Sequence, residues 1–106
     1  MLTPAYWSTL AREYAAIAGA TSTQLRQGRQ SYGAMPLVVL TPAGTGALTP
    51  EAAAALARWM AAHDALAARS TQGRNDLVQG SGHLMMRDQP AVVIEAVSGV
   101  VEAVRA

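Results

Sequence analysis

The segment that decides the fold is Asn75–Val104, with the sequence NDLVQGSGHLMMRDQPAVVIEAVSGVVEAV. A short apolar run leads into a glycine-rich corner, Gly80–Gly82, and His83 follows at once. An amphipathic stretch comes next, where Asp88 is expected to cap a helix and Pro90 to fit its first turn. The pattern therefore predicts a strand, a tight corner that presents an imidazole, and a covering helix.

Two strands joined by a helix are predicted upstream of this corner. Leu37–Thr41 has four consecutive apolar residues, two of them β-branched, which suits a strand buried on both faces of a parallel sheet. A helix is expected to open at Thr49, and the second strand is expected at Asn75–Gln79. Ligands and catalytic groups gather at the carboxyl ends of such strands, and the sequence places His83 there.

The segments Gly80–His83, Asp88–Pro90 and Val93–Val97 together resemble the C-terminal histidine segment of α/β-hydrolases, and Met35–Thr41 resembles the penultimate strand of that fold. The likeness covers roughly residues 30 to 106. It implies an α/β fold, a small parallel β-α-β-α unit like the last third of a hydrolase, preceded by an N-terminal helix. It also implies a single fragment domain over residues 1–106, with His83 as candidate general base.

The sequence departs from the hydrolase pattern at the nucleophile. Family members carry a serine on a G-x-S-x-G elbow, a strained turn that exposes the hydroxyl. No such elbow occurs in this sequence, and Ser31, Ser70 and Ser81 lack its context. As an independent enzyme the chain looks incomplete.

The acid of a hydrolase triad is also missing from its usual loop. The loop TPAGTGALTP, which follows Leu40, contains no carboxylate before Glu51. Asp76 and Asp88 could orient His83, but they match no family position.

Three functions follow from this pattern. The main hypothesis is a hydrolase-like fragment that is not catalytic alone and folds by self-association or with a missing N-terminal hydrolase portion, because a two-stranded sheet leaves an apolar edge open. The first alternative is an esterase-type hydrolase with His83 as general base and a nucleophile supplied elsewhere. The second is a small-ligand binding module with its pocket at the His83 corner, between Thr41–Thr45 and Met85.

Composition excludes several other classes. Hydrophobic residues make up 51% of the 106 residues and charged residues 14%, a lightly charged surface that favours association with another surface. The net charge is +1 and the eight basic residues, all arginine, form no stripe, so no nucleic-acid partner is expected. The absence of long apolar runs and of a leader predicts a soluble, cytoplasmic protein with no membrane partner.

No cofactor or metal is expected. Cysteine is absent, which removes disulfides and thiolate ligands. His63 and His83 are the two imidazoles, and no carboxylate has ligand spacing to either. His63 is expected to be hydrogen-bonded and partly buried on the central helix. Asp64 points about 100° away from it, which is poor placement for direct cooperation.

The remaining expectations concern helices. Thr3 and Pro4 should open a first helix that stops at Gly19, and a short helix is expected at Ser22–Gln27. Most aromatic side chains are expected to face the core, and the alternative is that they form a partner-binding surface. These are Tyr6, Trp7, Tyr14 and Trp59, and the buried face of the last helix is expected to consist of Val93, Val97, Val100, Val101 and Val104.

Overall fold

A computed structural model describes residues 2–106, which form five helices and two strands. Two compact units divide the chain, the first ending at Ser31 and the second being Tyr32–Ala106. No helix in the described part of the chain is long and apolar enough to cross a membrane. The elements in order are α1 (Pro4–Ala18), α2 (Ala20–Gln27), β1 (Leu37–Pro42), α3 (Pro50–Ala67), β2 (Gly73–Val78), α4 (Met85–Asp88) and α5 (Pro90–Arg105).

The first unit is a helix pair whose boundaries follow from its caps. The hydroxyl of Thr3 accepts a hydrogen bond from the backbone N–H of Tyr6 at 3.3 Å, and Gly19 ends α1, as predicted. Helix α2 begins at Ala20, two residues before the predicted start, because Gly19 also serves as its N-cap residue. It ends before Gly28, as predicted.

The expectation that the aromatic side chains face the core is wrong. Trp7 and Tyr14 in α1 are more than half exposed, and so is Trp59 in α3. Tyr6 is also exposed and packs edge-to-face against Trp7, with ring centroids 5.1 Å apart. The short α2 is largely polar and buries none of its residues, so it provides no apolar surface large enough to cover the aromatic side chains of α1.

The second unit is built on a two-stranded parallel sheet, so the predicted mixed α/β class is confirmed. The register runs from Leu37 opposite Gly73 to Pro42 opposite Val78. Strand β2 begins two residues earlier and ends one residue earlier than predicted. Its early part is polar, but backbone pairing with β1 holds it in the sheet.

Helices α3 and α5 cover opposite faces of β1. The side chain of Thr41 hydrogen-bonds to α3, whereas Val38 and Leu40 line a groove together with α5. Successive side chains of a strand point to opposite faces, so these two sets lie on different sides of the sheet. The described part of the chain contains two buried hydrophobic residues, Ala67 and Val78, which makes the core small.

The predicted buried face of α5 is wrong for three of its five valines. Val97, Val101 and Val104 are exposed, whereas Val93 and Val100 are half-buried. A helix normally buries a stripe at least 100° wide, and a sheet of two strands is too narrow to cover a stripe of that width. The apolar stripe of α5 is present, but the sheet of the second unit does not cover its full width.

Candidate functional site

The carboxyl ends of β1 and β2 are joined by backbone hydrogen bonds beyond the regular sheet. The N–H of Ala43 donates to the carbonyl of Val78 at 2.9 Å, and the N–H of Gly44 donates to the carbonyl of Ser81 at 2.8 Å. Gly80 turns the chain with φ of 66°, a left-handed conformation that glycine adopts without steric cost. These contacts bring the loop after β1 against the corner that carries His83.

Asp88 fixes this corner from the far side. Its carboxylate accepts a hydrogen bond from the backbone N–H of Gly82 at 2.9 Å, and this bond is the main reason that the pKa of Asp88 is lowered. The prediction that Asp88 caps the last helix is wrong, since Gln89 occupies that position and makes no side-chain capping bond. The carboxylate instead bonds across the corner to Gly82. Asp88 is the last residue of a short helix, α4, that the sequence did not predict.

A cavity of about 430 Å³ lies at this end of the sheet, entirely within the second unit. Its walls are mainly apolar, and its polar side-chain groups are two imidazoles, one hydroxyl and the indole N–H of Trp59. This is the place predicted for a pocket, beside the His83 corner with Thr41 and Met85 in its wall. The lining residues are Leu40, Thr41, Pro42, Trp59, His63, His83 and Met85.

His83 lines the cavity, but no carboxylate in the described part of the chain hydrogen-bonds to it. Asp76 pairs with Arg74 at 2.9 Å, and Asp88 is engaged by Gly82. The suggested orienting role of Asp76 and Asp88 is therefore not seen. The general-base role of His83 stays a prediction.

Neither of the two candidate nucleophiles in the second unit, Ser70 and Ser81, forms a triad with His83. Ser81 is fully buried and its hydroxyl donates to the carbonyl of Gly82 at 2.9 Å. Ser70 is buried and donates to the carbonyl of Met35. Ser31 belongs to the first unit. Neither buried serine offers a free hydroxyl to a substrate.

Two side chains of the cavity wall, Thr41 and His63, belong to a connected set of hydrogen bonds, and His63 lies in the last third of α3. Its Nδ1 lies 2.8 Å from the hydroxyl of Thr41, which lies 2.6 Å from Oδ1 of Asn75 on β2. The amide nitrogen of Asn75 donates to the carboxylate of Asp64 at 3.0 Å. His63 is half-buried and hydrogen-bonded, as predicted.

Sequence reasoning missed that Asp64 acts on His63 indirectly. The two side chains point in different directions, as predicted, but Asn75 and Thr41 connect them. The sequence carries a signal for this contact, because Thr41 and Asn75 are polar residues within or next to the apolar runs that form the two strands. Their neighbouring positions depend on the parallel register, which places Thr41 opposite Leu77 and Val39 opposite Asn75.

Trp59 gives the cavity an aromatic wall. Its ring centroid lies 5.4 Å from that of His63 with the planes tilted by 57°, one turn earlier on the same helix face. The described residues contain no group of three or more histidine, aspartate or glutamate side chains that could hold a metal ion. No family model, curated protein or solved structure matches the chain, so its chemistry has to be inferred from these side chains themselves.

Proposed function

We propose that the second unit is a binding module for a small, mainly apolar molecule that carries one hydrogen-bonding group. The cavity at the carboxyl ends of the strands is the observation that carries this proposal. Its volume of about 430 Å³ falls in the range of ligand sites, and its apolar walls with a few polar groups fit their usual composition. Strand ends are also where ligands bind in parallel sheets.

The chemical class of the ligand follows from the lining. Leu40, Pro42 and Met85 favour an apolar body, and the indole of Trp59 favours a flat ring. The imidazoles of His63 and His83 can each donate or accept one hydrogen bond. A substituted phenol has this combination of a flat apolar ring and a single polar group.

Binding can be tested with 4-methylphenol as the probe. We expect it to raise the midpoint of thermal unfolding in a saturable way, because a ligand that binds the folded state stabilises it. The variant Met85→Trp places a large side chain in the cavity wall and should abolish the rise. Met86→Trp is the matched control, since Met86 is exposed and does not line the cavity. An equal rise in both variants would contradict the proposal.

The resemblance to α/β-hydrolases is compatible with this pocket but adds a requirement. If His83 acts as general base in an esterase-type reaction, the nucleophile must be a group other than Ser70 or Ser81, because both hydroxyls are buried and bonded to carbonyls. A missing N-terminal hydrolase portion would meet that requirement. Binding does not depend on it, and we therefore place binding first.

A second role, self-association, is favoured by the open apolar surface of β1 and α5. A groove of about 310 Å³ opens between them, and all of its lining residues are apolar. Within residues 2–106 strand β1 pairs only with β2, so its other edge can template a further strand. We propose that a second copy of the chain occupies this surface. Its lining residues are Val38, Leu40, Val93, Ala96, Val97, Val100 and Val101.

A second copy fits this surface for two reasons. A two-fold axis would bring the same groove of both chains together and would extend the sheet across the two β1 strands. The net charge of +1 gives little repulsion between copies.

Sedimentation velocity at micromolar concentration tests the proposed dimer. We expect a dimer for the natural chain and a monomer for Val97→Glu, because burying an unpaired carboxylate in the groove is costly. Glu95→Gln, on the neighbouring turn and outside the groove, is the control and should stay dimeric. A natural chain that remains monomeric would count decisively against this role.

A further inference from the structure

Four side chains from three elements form one connected hydrogen-bonded chain in the second unit. It runs from Asp64 on α3 through Asn75 on β2 and Thr41 on β1 back to His63 on α3. The donor and acceptor roles along this chain are not interchangeable. Their order decides which nitrogen of the His63 ring carries its proton.

The direction is set at Asp64. An ionised carboxylate can only accept hydrogen bonds, so the group that faces it at 3.0 Å must be the NH₂ group of Asn75. The same amide nitrogen lies 3.7 Å from the sulfur of Met60, a weak acceptor. Both contacts place the amide oxygen of Asn75 on the side of Thr41.

The single proton of the Thr41 hydroxyl is therefore donated to Asn75. An amide oxygen only accepts, so this hydroxyl donates to Oδ1 of Asn75 across 2.6 Å. A hydroxyl has one proton, and none is left for His63. The contact of 2.8 Å between Thr41 and Nδ1 of His63 then requires that Nδ1 be the donor.

We infer that His63 is held as the Nδ1–H tautomer and that its Nε2 is the hydrogen-bond acceptor of the cavity. Among residues 2–106 the structure shows no partner for Nε2, and His63 lines the cavity wall. Asp64, Asn75 and Thr41 are positioning residues that act through this ring. The inference rests on the proposed ligand-binding function, and it selects ligands that carry a hydroxyl or N–H donor.

His63 differs in this respect from His83. Thr41 is almost completely buried, so solvent does not compete for its bond to Nδ1, and its hydrogen bonds fix both the tautomer and the ring orientation, although Asp64 at the far end is exposed. His83 is exposed and has no hydrogen bond to a carboxylate that would fix its tautomer. The cavity thus has one fixed hydrogen-bond acceptor, Nε2 of His63, and one imidazole, that of His83, which can either donate or accept.

The tautomer can be read directly from the ¹⁵N chemical shifts of the His63 ring at pH 8, in the range where imidazoles are generally neutral. We expect a single Nδ1–H form in the natural chain. The variant Asp64→Asn replaces the acceptor-only carboxylate by an amide that can donate as well as accept, so Asn75 is no longer held in one orientation and both tautomers should then appear. Asp76→Asn is the matched control, because Asp76 pairs with Arg74 and takes no part in the hydrogen bonds that lead to His63. This variant should keep the single Nδ1–H form. An Nε2–H form in the natural chain, or no change in Asp64→Asn, would overturn the inference.

Ligand selection gives a second measurement. The natural chain should bind 4-methylphenol about fivefold more tightly than toluene, since one net hydrogen bond separates them. That preference should shrink in Asp64→Asn and persist in Asp76→Asn. A natural chain that binds both probes equally would contradict the acceptor role. Failure of both probes to bind would refute the proposed function, whereas the tautomer measurement on the free protein would still decide the state of His63.

Discussion

Gly73 allows the first residue of β2 to lie directly against the end of α3. A Cβ at this position would lie 1.8 Å from the carbonyl oxygen of Ala67, at the end of α3, a distance that no side chain tolerates. The conflict is with backbone, so it cannot be relieved by a rotamer change. Glycine is therefore required where the crossover helix meets the first residue of β2.

Replacing Gly73 tests this close approach. We expect Gly73→Ala to lower the free energy of unfolding by about 3 kcal/mol, because overpacking against backbone forces the helix end and the strand apart. Gly99→Ala is the matched substitution: a Cβ there meets nothing within 4 Å, and alanine in a helix interior should raise stability by about 1 kcal/mol. Chemical denaturation measures both. Equal effects of the two substitutions would contradict the argument.

The element that fixes the His83 corner is the short helix α4, which brings Asp88 to the N–H of Gly82. The folded state lowers the pKa of this carboxyl, chiefly through that bond and in part through Arg87. A group whose pKa falls on folding stabilises the folded state while it is ionised. Its contribution is complete above the ordinary value of about 3.9 and is lost as the pH falls through the lowered pKa.

The pH dependence of unfolding should therefore change in Asp88→Asn. We expect the natural chain to be more stable than the variant at pH 5 and to lose that advantage between pH 5 and pH 2. The asparagine oxygen can still accept from Gly82 but does not titrate, so the comparison isolates the charge. Thermal unfolding at a series of pH values measures it. An advantage that stays constant down to pH 2 would show that the charge of Asp88 is not involved.

At the scale of the whole molecule, the sequence predicted the order of elements better than their packing. The capping residues Thr3 and Thr49 and the apolar run of β1 act locally, so their elements were found within one or two residues. Helix α4 was missed because it is one turn long and has no side-chain cap. The exposure of Trp7 and Val97 does not follow from the sequence, because an apolar pattern identifies the face of a helix that can be buried but not whether another element packs on it.

The candidate site was predicted in the same uneven way. The pocket beside His83 follows from strand order and the glycine corner, both of which are visible in the sequence. The importance of His63 does not, because it depends on Thr41 and Asn75, which are 34 residues apart. Contacts of that separation are fixed by strand register, which no local pattern specifies.

The parallel pairing of β1 with β2 has a consequence for how the ring of His63 can be used as a probe. Before those strands meet, Thr41 and Asn75 do not hold the proton of His63 on Nδ1, and the loop that must close costs considerable entropy. Once they meet, the distinction is made by groups that the strands carry. The tautomer of His63 therefore reports whether the sheet is closed. Any partial opening that separates β1 from β2 should allow both tautomers of the ring to appear before the helices unfold.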